Sequence, residues 1–556
     1  MSYAKILGSM NEPQSVHEQV TPEMRQVDGG GFGFQMRPLD AWKRFVTIGA
    51  LNNTMHTSAL AMLEQHMDLA DKALAEHGAE QLMAEIVRVR KGGLAPKVSP
   101  QLLAYAWLSK NAPAKAKAGL ADQFLDVINT GTQFFEYQLY ANLLGIKGGR
   151  NRRRQAMHWF EMPVDRLAYQ MLKYRSRRWK LDYWTHVGWN WSQALQKFHP
   201  KPVTPAHDAL FDFVVNGNVS DEAPELVKQF VAVRDADNVE DVIRMVQDWG
   251  LTWEFVPDRW FKEKKLWEAL IENLPATATM RKMSTLASLG LLDSMRGSVA
   301  RVFLHKMGDV DWLRGQRVHP ISLYIAAKTY SQGHGSKGSL EWSVNEDVLA
   351  VLIDSIQGLF ETEKPIADSV LFGLDLSASM TWPESCGMGI RAFEVSMLII
   401  SQMMKHHVPF KVVGFSSSDA IDITAAVNGY MSLRQLMASP EHVLGLINTA
   451  ARDKMRGYGW FGGTNIGAAV EFALDKDKEE RDTIVLLTDN DVNVGRHAFQ
   501  LWRKYRQKYP KARLAVLAMQ GNISSIVDPD DPTMMDFVGM DLSVPKAVRM
   551  FVYGQV

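Results

Sequence analysis

Cysteine is all but missing from this 556-residue chain: its single copy, Cys386, can form no internal disulfide and no thiolate zinc cluster. So few thiols suit a reducing compartment, and the cytoplasm is the expected location. Net charge is missing too. Lysine plus arginine number 62 and aspartate plus glutamate 62, so any nucleic-acid surface must be a local patch rather than a property of the whole chain. No apolar run approaches the ~20 residues of a membrane span. The richest, residues 395–404, ends in Lys405, His406 and His407 and reads as a buried helix. The first 26 residues are polar, with Glu12, Glu18 and Glu23, and lack the apolar stretch of a secretory signal. No strand run precedes the glycines at 29–33, so they read as a turn where structure begins rather than as a phosphate loop.

What is present divides the chain. Its length exceeds a single core, so at least two domains are expected. Residues 1–28 read as a flexible leader. From Leu39 to about Glu363, apolar residues recur at three-to-four spacing in segment after segment, punctuated by Gly, Pro or Asn. Stacked helix pairs in an α-solenoid are the natural architecture, with no strict sequence period. The charged stretch ending in Pro365 is a linker. After it, strand-like runs at 370–374, 410–415, 483–487 and 514–519 alternate with helical segments, which argues for a parallel sheet covered by helices. The expected division is a leader (1–28), a helical domain (29–365) and an α/β domain (366–556).

In the second domain, the apolar run 370–374 ends abruptly in Asp375, Ser377 and Ser379. A strand ending this way delivers small oxygen donors to the carboxyl edge of a sheet, where open α/β sheets bind ligands. Hard divalent cations such as Mg²⁺ take oxygen ligands and retain some water. Further donors follow in order: Thr464 in a glycine-rich loop, then Asp489 at the end of the strand 483–487. A simpler role for Ser377 and Ser379 is to cap the next helix. Asp491 is a strand-end neighbour of undetermined direction. Asp528, Asp530 and Asp531 read as a loop held by side-chain to backbone bonds.

In the first domain, charge is lopsided between residues 147 and 180. Lys147, Arg150, Arg152, Arg153, Arg154, Arg166, Lys173, Arg175, Arg177, Arg178 and Lys180 face only Glu161 and Asp165. Aromatics are interleaved, among them Trp159, Phe160, Tyr174, Trp179, Tyr183, Trp184, Trp189 and Trp191. Cations neutralise phosphates and ring faces stack unpaired bases, a combination suited to single-stranded or loop RNA. The competing reading is a solvated helix face over core tryptophans.

These residues carry a resemblance. The order Asp-x-Ser-x-Ser, loop Thr, strand-end Asp resembles the metal-ion-dependent adhesion site of von Willebrand factor A domains, which implies Asp375, Ser377, Ser379, Thr464 and Asp489 as ligands of a divalent ion, Mg²⁺ being the expected one. The run from Arg317 to Pro320, the run from Thr329 to Gly335, the segment Lys173 to Arg177, Gly149-Arg150 with Trp159-Phe160, and Arg44-Phe45 with Gly49 resemble the Ro autoantigen family of TROVE-domain RNA-binding proteins. So do Thr488-Asp489-Asn490, the aspartates at 528–531, Met535-Asp536 and Gly539-Met540-Asp541. The resemblance implies a multidomain protein: an all-α ring of HEAT-like repeats closed by an α/β, Rossmann-like von Willebrand A domain. It implies a monomer that binds small noncoding Y RNAs on a basic outer surface and single-stranded ends of misfolded RNA in the ring. The family's Y RNA contacts match Lys173, Arg177 and His199, with Arg175 as a further phosphate contact and Arg150, Arg153 and Arg154 extending the track. Residues 179–190 look like an insertion relative to the eukaryotic pattern, so His199 competes with His186 and with a plain surface or helix-end role. His319 and His334, beside Pro and Gly, are expected to satisfy backbone groups in turns.

Two functions follow as expectations: an RNA-binding scaffold in RNA quality control or degradation without catalysis of its own, and a module that engages an exoribonuclease or other protein through an acidic residue completing the metal shell. A metal-dependent nuclease is disfavoured, because two-metal hydrolysis needs clustered carboxylates and Cys386 has no obvious base.

Overall fold

The computed structural model describes residues 13–49, 59–146, 148–173, 190–294, 296–335, 339–360, 365–382, 389–404, 408–430, 433–454 and 462–555. Helices fill the chain from α1 (Pro38–Thr47) and α2 (Ala59–Gly92) to Glu346–Leu359. Their ends are set locally. Thr130, Asn190, Thr204, Asn238, Asp309 and Asn345 each accept a backbone N–H at a helix start. Helix α2 is broken at Gly78, whose φ of 80° lies where only glycine is comfortable. The segment is therefore two helices that meet at a kink.

Two cores organise the helical array. In the first, Trp42, Phe45, Trp107, Tyr137, Trp159 and Trp191 pack between residues 42 and 255. The second begins near Val233 and runs without interruption through Trp267, Tyr324 and Leu352 to Phe372 and Val485 on one face of the α/β sheet and Leu398 on a helix that covers it. The later helices and the sheet thus share a single apolar interior.

The sheet is mixed and six-stranded. With strands numbered along the chain as β1 (Met24–Gln26), β2 (Phe32–Gln35), β3 (Val370–Asp375), β4 (Phe410–Phe415), β5 (Ile421–Asp422), β6 (Thr483–Thr488), β7 (Arg513–Ala518), β8 (Ser524–Ser525) and β9 (Met534–Val538), its order is β5-β4-β3-β6-β7-β9. Every pair is parallel except β4–β5. The chain leaves β3 towards β4 and later returns to its other side as β6, so the order reverses at β3. The carboxyl ends of β3 and β6 border that switch point, where ligands of open α/β sheets bind.

Residues 13–28 are not a flexible leader. Met24–Gln26 pairs with Phe32–Gln35, which pairs in turn with β8 of the α/β domain. Val16, Met24, Val27 and Phe34 are buried in that domain's core beside Phe499 and Val516. The reason is mundane: apolar residues at 16, 20, 24 and 27 in a polar stretch find a covering surface some 470 residues later, a pairing that local periodicity cannot reveal. Residues 13–35 accordingly belong with the C-terminal domain, and the helical domain begins near Arg37.

Both ends of the helical array are tied to the α/β domain. At the early end, Arg44 of α1 and His66 and Arg88 of α2 bond to Asn522, Gly521 and Asp541. At the late end, Tyr324 Oη and Lys328 Nζ both bond to the fully buried Glu394, at 2.8 and 2.7 Å. His319 Nε2 donates to the Met540 carbonyl at 3.2 Å. The α/β domain therefore closes the array.

Candidate metal centre and cationic face

The end of β3 turns directly into a short helix, Ala378–Thr381. Asp375 is fully buried at the strand end, and its Oδ1 accepts the Ser377 backbone N–H at 2.9 Å. Ser377 and Ser379 are buried, with their hydroxyl oxygens 3.2 Å apart. Ser377 is the residue before the helix, yet its side chain makes no capping bond. The two hydroxyls bond to each other instead, which removes the simpler role expected for Ser377.

The other two loops arrive at the same place. The Ala378 N–H donates to the Gly462 carbonyl at 3.2 Å, bringing the glycine-rich loop and buried Thr464 beside the serines. The Thr464 N–H donates to Asn493 Oδ1 at 2.7 Å, which fastens this loop to the one that follows β6. Asp489, at the end of β6, is fully buried, and Thr488 beside it donates to Asp375 Oδ2 at 2.6 Å. Asp375 at a strand end, Ser377 and Ser379 at the start of a short helix, and Thr464 and Asp489 on loops therefore meet at the switch point.

Electrostatics favour a cation there. Burial raises the Asp375 carboxyl above the usual range, and the charge of Asp489 raises it further. Asp491 behaves likewise: burial first, then Asp489 and Asp28, push its carboxyl well up. Its Oδ1 is buried with no hydrogen-bond partner among the described residues. Carboxylates held close together out of water, beside small hydroxyls, form a hard oxygen set of the kind Mg²⁺ takes. Among the described residues, no group of three or more His, Cys, Asp and Glu side chains is placed to hold a metal ion, so such an ion would rely on the hydroxyls as well. The aspartates at 528–531 behave as expected of a turn: Asp528 accepts the Asp530 N–H and Asp531 the Thr533 N–H.

Sequence reasoning missed the residues behind these candidate ligands. Asn522 Nδ2 donates to the Asp489 carbonyl, and Gln520 Nε2 donates to the Ser379 carbonyl at 3.3 Å. Their one visible signal was position, just beyond the carboxyl end of β7.

On the helical domain, Arg150–Phe160 presents Arg150, Arg153 and Arg154 to solvent. Arg150 and Arg153 form no ion pair with a described residue. Arg154 grips Asp122 with two nitrogens, at 3.0 and 2.6 Å, and His158 shares that carboxylate. Arg152 is no part of the face, because it is buried on Gln138 and Asn142. Lys173 follows the helix Val164–Leu172, its ammonium 5.0 Å from the centre of the Tyr169 ring. Arg175 and Arg177 lie outside the described residues, as do Tyr174, Trp179, Tyr183, Trp184 and Trp189. His199 is exposed at the end of Trp191–Phe198 in a left-handed conformation, φ 45°. Trp159, Phe160 and Trp191 are core residues, with Trp159 stacked on Trp191 at 5.8 Å. These three rings hold the fold together and offer no face to a base. His319 is buried, accepts the Ile321 N–H and donates across to Met540, a structural role.

The TROVE domain matches residues 237–356 and the Ro60 vWA domain matches residues 369–552. The chain therefore carries both a TROVE domain and a Ro60-type vWA domain. A Deinococcus radiodurans relative named RNA-binding protein RO60 is 26% identical over 558 residues, covering 99% of each chain. A Caenorhabditis elegans relative of the same name is 23% identical over 622 residues, covering 97% of this chain and 91% of its own. The crystal structure of the Deinococcus radiodurans RO (RSR) protein superposes with a TM-score of 0.65 at 24% identity, over 93% of this chain and 100% of that one, so the two share a fold. Among the described residues, no helix is long and apolar enough to cross a membrane.

Proposed function

We propose that this chain is a Ro-type RNA-binding scaffold of the cytoplasm without catalysis of its own. It takes small structured noncoding RNA of the Y type on the cationic face of the helical domain and single-stranded ends of misfolded RNA within the closed array. End-to-end similarity to proteins named for RNA binding supports this reading, and the observation that carries it is the pair of exposed guanidinium groups, Arg150 and Arg153, on the helix Arg150–Phe160. Guanidinium and ammonium groups placed this way neutralise phosphates, and affinity then comes chiefly from released counterions. Crosslinking and sequencing of bound RNA, wild type against Lys173→Ala/Arg177→Ala, tests it. Reduced recovery by the double variant is the expected result, and equal recovery removes the site assignment.

In the same reading, Asp375, Ser377, Ser379, Thr464 and Asp489 hold Mg²⁺. The ion would clamp the three loops together. A second, compatible role follows from Trp382, which ends the helix carrying Ser379 and is 41% exposed beside the centre. A protein partner, an exoribonuclease for example, would place an acidic residue on the ion and an apolar group on this indole. Chelation would then release the protein partner.

A further inference from the structure

The metal centre is wired to the helical domain through a buried polar chain that runs across the seam between the two. Asn522 is its pivot. Its Nδ2 donates to the carbonyl of the ligand residue Asp489, while its own carbonyl and Oδ1 accept from Arg44 Nη1 at 2.9 and 3.2 Å. Arg44, on α1, is fully buried. The same nitrogen donates to the Ser524 carbonyl at 3.1 Å, and Nη2 reaches the carboxylate of Asp536 on β9. Asp536 also accepts from Ser525 and, at 3.5 Å, from the side chain of Asn490, the residue after Asp489. Asn490 is held at φ 67°, a conformation that needs such support. At the residue just before Asn522, His66 of α2 donates to the Gly521 carbonyl. Gly521 abuts Gly49 so closely that a Cβ there would collide with the Gly49 carbonyl oxygen. Two routes, through Asn522 and through Asp536, thus join Arg44 to the strand end that bears Asp489.

We propose that Asn522 and Arg44 are positioning residues for the metal centre, so that divalent-cation affinity and the docking of α1 rise and fall together. The proposal rests on the reading that the centre takes a divalent cation. A guanidinium buried in this chain cannot leave without stranding Asp536 and the Asn522 acceptors, and Asn522 orients Asp489 only while Arg44 holds it. By linkage, an ion that tightens Asp489 must tighten α1 by the same free energy. Metal occupancy would therefore report on, and bias, closure of the helical array.

The test is Mn²⁺ binding to the full-length chain by calorimetry, with hydrogen exchange followed over α1. In the wild type, Mn²⁺ should slow exchange across residues 38–47. Asn522→Ala should weaken Mn²⁺ by about tenfold or more, the usual effect of losing a group that orients a ligand. Arg44→Lys keeps the charge but not the fork of donors, and should fall between. Lys328→Ala, which loosens the seam at its other end, should leave Mn²⁺ affinity unchanged. The proposal is overturned if Asn522→Ala binds Mn²⁺ like wild type, or if wild type binds Mn²⁺ while α1 exchange is unaltered. Should the variants fail to fold, the wild-type exchange measurement still decides. Wild type that binds no Mn²⁺ overturns the reading of the centre itself, a distinct outcome.

Discussion

Asp375 meets Asp489 out of water, and the Asp489 charge adds to burial in making the Asp375 carboxyl harder to ionise. Asp375→Asn relieves that repulsion and also removes one of the two carboxylates on the proposed ion. Mn²⁺ affinity measured by calorimetry should drop at least about tenfold, with no loss of folding stability in the absence of metal. Unchanged affinity would place the ion elsewhere. The candidate ligand residues could be picked out because they follow apolar runs or lie in a glycine-rich loop, so their chemistry and their order sat in plain view. Asn522 and Arg44 were not, because a single Asn in a polar loop and a single Arg in an amphipathic helix look like solvent-facing residues until the chain is folded. Arg152 shows the opposite trap. It lies within the most basic run of the sequence and is spent inside the domain, on Gln138.

Among the elements, the helix Pro320–Ser331 and the helix Ala392–Met403 meet through Glu394, which has no exposure and takes bonds from Tyr324, Lys328 and the Arg391 N–H. Glu394→Ala strands the Lys328 ammonium at a nearly closed contact. A loss of about 3 kcal/mol, within the usual range for breaking a buried pair, is expected in denaturant unfolding. His66 and His319 each bridge the helical and α/β domains through a backbone carbonyl, and burial lowers both to about 4 from an ordinary 6.5. Between those values the unfolded chain binds protons that the folded chain refuses. Stability should therefore be full above about pH 6.5, fall as pH drops towards 4 and level off below it. Thermal unfolding against pH checks this, and His319→Gln, which keeps a donor but cannot titrate, should flatten the curve.

Strand β9 was the least legible element. Asp536 interrupts its apolar pattern, so the stretch did not read as a strand, yet that residue is the one Arg44 reaches from the other domain. Helices fared better, since their periodicity is local and their caps are side chains that announce themselves.

At the scale of the molecule, a helical array followed by an α/β domain was readable from the change in hydrophobic period near Pro365. The attachment of residues 13–35 to the far domain was not, because it depends on contacts separated by hundreds of residues. Several of the segments that resemble the Ro family share a location: Arg44, His319, Asp489, Asn490, Asp536, Met540 and Asp541 all lie along or beside the seam. Their physical common ground is closure of the array rather than contact with RNA. The RNA-binding account therefore depends on the cationic face, and a neutral chain gives it no help from net charge. The most direct measurement is the affinity of the full-length chain for a short structured RNA with a single-stranded tail, titrated against salt, for wild type and for Arg150→Ala/Arg153→Ala/Lys173→Ala. Wild-type affinity should fall steeply with salt, and the triple variant should bind more weakly with a shallower slope, each lost phosphate contact lowering the slope by about 0.7 to 0.9. Identical affinity and slope in both proteins, or no RNA binding at any salt concentration, would contradict the account.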